Sequence, residues 1–195
     1  MSKAKGPTYI VPFKRRRKGL TDYRKRLAQA KSGLPRMVVR KSNNYVTVQF
    51  VRFEPAGDKV IASVGPKELK EYGWVPQSNS PTAYLAGLLC GLKAKKNGVD
   101  EFVLDMGLYT ASKGSIVFAC LKGAIDAGLK SGYEAEMVNE ARITGAHIAD
   151  YAKKLKAEDE SQYKMRFSDY IKSKVDPESL PKLFEEVKSK IIKGK

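Results

Sequence analysis

No fold of this chain can bury the stretch Lys14-Arg15-Arg16-Arg17-Lys18-Gly19-Leu20-Thr21-Asp22-Tyr23-Arg24-Lys25-Arg26. Like charges this dense repel one another, and each would need a partner before leaving water. Residues 1–41 hold 14 Lys and Arg against a single acid, Asp22, a local charge of +13. The whole chain carries 37 basic and 21 acidic residues, a net of +16, so residues 42–195 are left with only +3. A core must therefore come from the later residues, with the N-terminal segment outside it. At 195 residues the chain is long enough for one domain with extensions.

Hydrophobic patterning divides the chain into an arm over 1–33, an α/β core over 34–130 and a helical extension over 131–195. The arm has no sustained apolar period and is punctuated by Gly6-Pro7, Pro12 and Gly19. Thr21-Asp22 can cap a short helix through Tyr23, Leu27 and Ala30 that ends at Gly33. Three strands are expected at 36–41, 45–53 and 59–64, joined by turn chemistry at Ser42-Asn43-Asn44 and at Pro55-Ala56-Gly57-Asp58. In the second, Val46, Val48 and Phe50 share the core face, with Tyr45, Thr47, Gln49 and Val51 opposite. This predicts an antiparallel meander. Ser80 as N-cap with Pro81 in the first turn opens a helix whose Leu85, Leu88, Leu89 and Leu92 form a stripe, ended by Asn97-Gly98. A brief strand at 102–104, a loop from Met106 to Gly114 and a helix from Ser115 closed by Gly128 follow. Strands and helices alternating after a meander indicate an α/β sandwich with a mixed sheet. Beyond it, Ile148, Tyr151, Ala152 and Leu155 mark one amphipathic helix, and a charged run spans 156–162. Asp176 caps another helix, with Pro177 at its start and Leu180, Leu183, Phe184, Val187 and Ile191 on one face.

The basic arm is interleaved with Tyr9, Phe13, Thr21 and Tyr23, and its charge continues through Arg36, Arg40 and Lys41 to Asn43, Asn44, Tyr45 and Gln49. An inert solvated tail needs no such company. Arg forks match phosphate oxygens, Tyr offers a face to an unpaired base, and amides pair with base edges. A membrane surface would call for an apolar stripe beside the charge, and none is present. The pattern points to nucleic acid. No apolar run approaches the roughly 20 residues of a membrane helix, and no signal-peptide stretch opens the chain, so a cytoplasmic location is expected. Cys90 and Cys120 are isolated on apolar segments and read as buried thiols. His147, the one histidine, has no catalytic company. Asp100, Glu101 and Asp105 could in principle hold a divalent cation, but solvated or capping acids are the expected reading. No catalytic residues, metal, cofactor or small-molecule substrate are expected.

Several stretches in order resemble one family: residues 14–27; Arg36 to Tyr45 with Gln49; Asn79 to Leu88; Asp105-Met106-Gly107; residues 117–129; and Phe167 to Lys172, followed by a helix. The chain is similar to the large-subunit ribosomal proteins that bind 5S ribosomal RNA, in their archaeal and eukaryotic form. The resemblance implies a three-layer α/β/α core like the ribonuclease-H motif, placed in the central protuberance of the large ribosomal subunit. It also implies contacts with 5S rRNA, large-subunit rRNA and neighbouring ribosomal proteins. A likeness of fold carries no nuclease activity. By position in the matched stretches, Lys14, Arg15, Arg16, Arg17, Lys18, Arg24 and Arg26 are assigned to phosphates. Tyr23 and Tyr45 are assigned to stacking or ribose, and Thr21, Asn43, Asn44 and Gln49 to hydrogen bonds. Arg36 and Arg40 are assigned to a polar strand face toward RNA, and Lys113, with the loop around Tyr109, to a second contact. The rival readings are a free RNA chaperone or assembly factor, and a metal-dependent nuclease built on Asp105.

Overall fold

The computed structural model describes residues 6–132 and 134–194. Two short helices, α1 (Lys14–Arg17) and α2 (Tyr23–Lys31), form the arm. The meander follows as β1 (Arg36–Lys41), β2 (Val46–Arg52) and β3 (Lys59–Val64). Then come α3 (Pro66–Glu71), α4 (Ser80–Lys96), β4 (Val103–Asp105) and α5 (Ile116–Asp126). The extension comprises α6 (Glu140–Ile143), α7 (Ala146–Glu158), α8 (Glu160–Arg166), α9 (Ser168–Lys172) and α10 (Leu180–Lys193).

The sheet order is β3-β2-β1-β4. β1 runs antiparallel to β2, with Val39 opposite Val48, and parallel to β4, with Met37 opposite Leu104. The sheet is therefore mixed and the fold is α/β. Alternation sends Met37, Val39, Val46, Val48 and Phe50 to one face, where they pack in a single core with α4 and α5. Phe50 meets Phe102 edge to face, ring centroids 5.2 Å apart. The pairing of β2 with β3 slips between Phe50 and Val51, and Asn97 at the end of α4 donates its amide to the Ile61 carbonyl there (2.8 Å).

Helix α4 departs from the expected stripe. Leu85, Leu88, Leu89 and Leu92 are buried, but so is nearly every residue from Pro81 to Leu92. A helix apolar all round is a helix enclosed all round, and α4 lies between the sheet, α5 and the C-terminal helices. Glycines permit this closeness. A Cβ on Gly87 would sit 2.1 Å from the Cys120 carbonyl oxygen, and one on Gly123 would sit 2.2 Å from that of Tyr84. Its cap is Asn79, not Ser80: the Asn79 side chain accepts from the Thr82 N–H (3.0 Å), with Ser80 and Pro81 in the first turn.

Three further boundaries shift. β2 is shorter at both ends than 45–53, and β4 begins one residue late and ends on Asp105. Asp176 stands at the N-cap position of a 3-10 turn, Pro177–Ser179, that leads into α10, but its side chain makes no capping bond; its carbonyl accepts from the Ser179 N–H (3.1 Å) and hydroxyl (2.9 Å). The charged run at 156–162 is helical on both sides of Asp159, whose carboxylate accepts from the Ser161 and Gln162 N–H groups to start α8. The extension docks on the core through Phe184, whose ring lies 5.5 Å from Tyr84 and 6.3 Å from the buried Trp74. Asn79 also donates to the Tyr170 hydroxyl (3.3 Å), tying α9 to the start of α4.

Candidate nucleic-acid interface

The second face of the sheet has no core helix over it, and here the charge is organised. Arg36 opens β1 with its side chain on this face. It is 1% exposed, and its Nη1 and Nη2 donate to Asp105 (3.0 Å) and Asp58 (2.7 Å). Parallel pairing sets Asp105 beside Val38, so that its carboxylate falls between Arg36 and Arg40. Arg40 Nη2 reaches Asp105 Oδ1 (3.0 Å), and Nη1 reaches the Asp105 and Val39 carbonyls (2.8 Å each). Gly107 adds its N–H to the same carboxylate oxygen at 2.8 Å. Its φ of +63° favours glycine, and an added Cβ would press on the Arg40 guanidinium carbon at 3.0 Å.

Asp58 then joins this sheet network to the arm, because the same oxygen that takes Arg36 also takes Arg26 of α2. Gln29 supplies a second tie, donating to the Leu104 carbonyl of edge strand β4 (3.2 Å). Helix α2 is started by Asp22, which accepts from the Arg24 and Lys25 N–H groups. Arg15 Nε donates to the Thr21 hydroxyl (2.9 Å), and Phe13 and Tyr23 approach at 6.1 Å, folding α1 back toward α2. Neither helix buries a residue. Lys14, Arg16, Arg17, Lys18 and Arg24 are exposed, with no side-chain partner among the described residues. An array of cations is thus held against the sheet by the Asp58 carboxylate and the Gln29 amide, beside a groove of about 460 Å³ lined by Arg15, Lys25, Arg40 and Gly107.

The predicted residues divide on this frame. Asn43, Asn44 and Tyr45 stand exposed in the β1–β2 turn, which is closed by Ser42 bonded to Tyr45 at backbone and hydroxyl. Tyr23 and Tyr45 are 36% and 42% exposed, so neither is an ordinary buried tyrosine. Gln49 is half-buried and donates to Ser63 (3.3 Å). Tyr109 clamps the 106–114 loop to β1, donating to the Lys41 carbonyl (2.8 Å) and accepting from its N–H. Lys113 is exposed but paired with Glu136 (2.8 Å).

Arg36 is placed otherwise than expected: it is enclosed by carboxylates and does not face solvent. Asp105 is likewise neither solvated nor a helix cap. Both its oxygens are already taken by cationic donors, which removes it as the anchor of a metal-dependent nuclease. Among the described residues no group of three or more His, Cys, Asp or Glu side chains converges on a metal-sized site. Cys90 and Cys120 are buried, and burial pushes both thiols up, Cys90 to about 12. His147 is held below its ordinary range by burial and by Arg142, with Asp150 opposing. The sequence reading missed Lys25, legible in the same basic run, and Asp58, whose turn position gave no sign of its two arginine partners.

A family model described as ribosomal large subunit proteins 60S L5 and 50S L18 matches residues 7–102. The large ribosomal subunit protein uL18 of Ignicoccus hospitalis is 50% identical over 191 residues, covering 97% of this chain and 94% of that protein. The chain belongs to the uL18 family. As a uL18 protein it is a structural component of the large ribosomal subunit, and its family is not one of enzymes. Ribosomal RNA and neighbouring ribosomal proteins are the surroundings that membership implies.

Proposed function

We propose that this uL18 protein binds 5S rRNA and anchors it to large-subunit rRNA in the central protuberance, without catalysis. One observation carries the proposal: the unpaired cations of α1 and α2 are displayed outward on a frame pinned to the sheet by Asp58. Lys14, Arg15, Arg16, Arg17, Lys18, Arg24 and Arg26 then neutralise closely spaced phosphates, with Thr21 orienting Arg15. Tyr23 and Tyr45 stack on bases or ribose, and Asn43, Asn44 and Gln49 supply hydrogen bonds. Arg40 and Lys113 add charge at the rim, and Arg36 acts indirectly by holding the carboxylates that position Arg26 and Arg40. The division into arm (1–33), core (34–130) and extension (131–195), and the kinship of the core with the ribonuclease-H-like α/β/α sandwich, belong to the same reading.

The test is salt-titrated binding to 5S rRNA with tRNA as competitor. Replacing Arg15, Arg16 and Arg17 by Ala flattens the slope of log affinity against log salt by about 0.7 to 0.9 per lost phosphate contact. An unchanged slope removes these arginines from the interface, and complete displacement by tRNA reduces the protein to a general polyanion binder. Co-sedimentation with mature large subunits separates this role from that of a free RNA chaperone or assembly factor.

A further inference from the structure

A second concavity, of about 490 Å³, opens between the β1–β2 turn, the loop before α4, and α9. It lies within the range of roughly 300–1,000 Å³ typical of small-ligand sites. Asn43, Asn44 and Tyr45 form one wall, and Gln77 forms part of another. Lys70 stands at the end of α3, and Asp169 and Lys172 on α9 close the far side. The wall is rigid where it matters. Asn79 is committed to capping α4 and to Tyr170, and the backbone N–H of Gln77 donates to Thr82 (3.3 Å). The side chains that face the space are uncommitted: those of Asn43, Asn44, Gln77, Lys70, Lys172 and Asp169 have no hydrogen-bond or ion-pair partner among the described residues.

We infer that this cleft receives one unpaired nucleotide of the bound RNA, its base between the turn and α9 and its phosphates on Lys70 and Lys172. The inference rests on the RNA-binding reading above and extends it to residues that the basic arm does not include. The chemistry selects the class of ligand. Two ammonium groups alone would suit any anion, but Asp169 repels a bare phosphate and accepts from the N–H groups that every base carries on its Watson–Crick edge. Three uncommitted amides can match such an edge, and the exposed ring of Tyr45 offers it a face. An apolar protein segment would leave these amides and charges desolvated without partners. The cleft also gives α9, in the C-terminal extension, a place on the RNA side of the molecule.

The discriminating measurement is fluorescence anisotropy of the full chain with two labelled probes: a mixed-sequence single-stranded RNA heptamer, and a duplex RNA of the same length. The duplex offers no unstacked base. Tyr45→Ala and the pair Gln77→Ala with Lys172→Ala each weaken heptamer binding about tenfold, while changing duplex binding less than twofold. Tyr45→Phe retains the ring and binds the heptamer as the parent does. These side chains are exposed or unpartnered, and unchanged circular dichroism verifies the fold. Equal losses on both probes would make the cleft only another patch of charge, and no loss on either would make it unrelated to RNA; both overturn the inference. A variant that keeps heptamer binding but fails to enter large subunits would assign the cleft to a protein neighbour, which also overturns it. The Arg15, Arg16, Arg17 triple variant serves as the control for the parent reading, since it weakens both probes whatever the cleft does. If that control weakens neither, the arm reading fails, and the cleft variants are judged separately.

Discussion

Arg36 is the residue on which the charged face turns. A buried guanidinium is tolerated because two carboxylates, Asp58 and Asp105, meet its two terminal nitrogens. Removing one partner of such a set leaves an uncompensated buried charge, typically costing about 3–5 kcal/mol. Asp105→Asn is therefore expected to lower stability by an amount near that range, read as a shift in the urea midpoint. Arg40→Ala, whose side chain is 45% exposed, costs only about 1 kcal/mol. Near-equal losses would show that the enclosure of Arg36 contributes nothing particular. The network holds three arginines against two aspartates, so even when complete it leaves this face of the sheet positive. Its members are buried or half-buried to different degrees. Arg36 and Asp105 are fixed, Arg40 is half free, and Arg26 reaches the solvent-facing arm.

At the scale of elements, the closest packing is between α4 and α5, where Gly87 and Gly123 meet backbone carbonyls. Gly87→Ala inserts a methyl group that the Cys120 carbonyl cannot accommodate without backbone movement, and overpacking of this kind costs typically about 1–3 kcal/mol. Alkylation at pH 8 provides the readout. Cys120 is buried and its thiol is pushed far up by desolvation, so it reacts in the parent only on unfolding; the variant should label faster under native conditions. Unchanged labelling and stability would show that the helices yield freely at this point. These elements were largely legible in sequence. β1 and β3 fall where β-branched residues and turn chemistry place them, and the faces of β2 follow simple alternation. The cap of α4 was misplaced by one residue because Asn79 and Ser80 are both good caps and only geometry chooses between them. Helices α8 and α9 escaped notice because the charged run 156–162, in which α8 begins, has no apolar period. The pairing of Arg36 with Asp105 was hidden more deeply. The two are 69 residues apart, and only the parallel register of β1 and β4 brings them together. Composition marked where the positive charge is concentrated, but could not say which arginine would face inward.

At the scale of the molecule, charge and core are carried by different parts of the chain. The first 41 residues hold +13 of the +16, yet α1 and α2 bury nothing, while the core and the C-terminal helices share one apolar interior through Trp74, Tyr84 and Phe184. This separation predicts the outcome of deleting residues 1–33. Such a deletion removes the Arg26 pair and the Gln29 bond but leaves Arg36 with Asp58 and Asp105 intact, since all three lie beyond the cut. The shortened chain should unfold cooperatively with stability within about 1 kcal/mol of the parent, the range of a partly exposed ion pair. Its affinity for 5S rRNA should collapse, and the salt dependence of whatever binding remains should become shallow. Circular dichroism melting and salt-titrated binding on the same preparation decide the matter. Loss of the cooperative transition would mean that the arm is part of the folding unit. Retained affinity with a steep salt slope would move the principal RNA surface onto the core, because the +6 left on residues 34–195 has to be locally concentrated to bind a polyanion in that way.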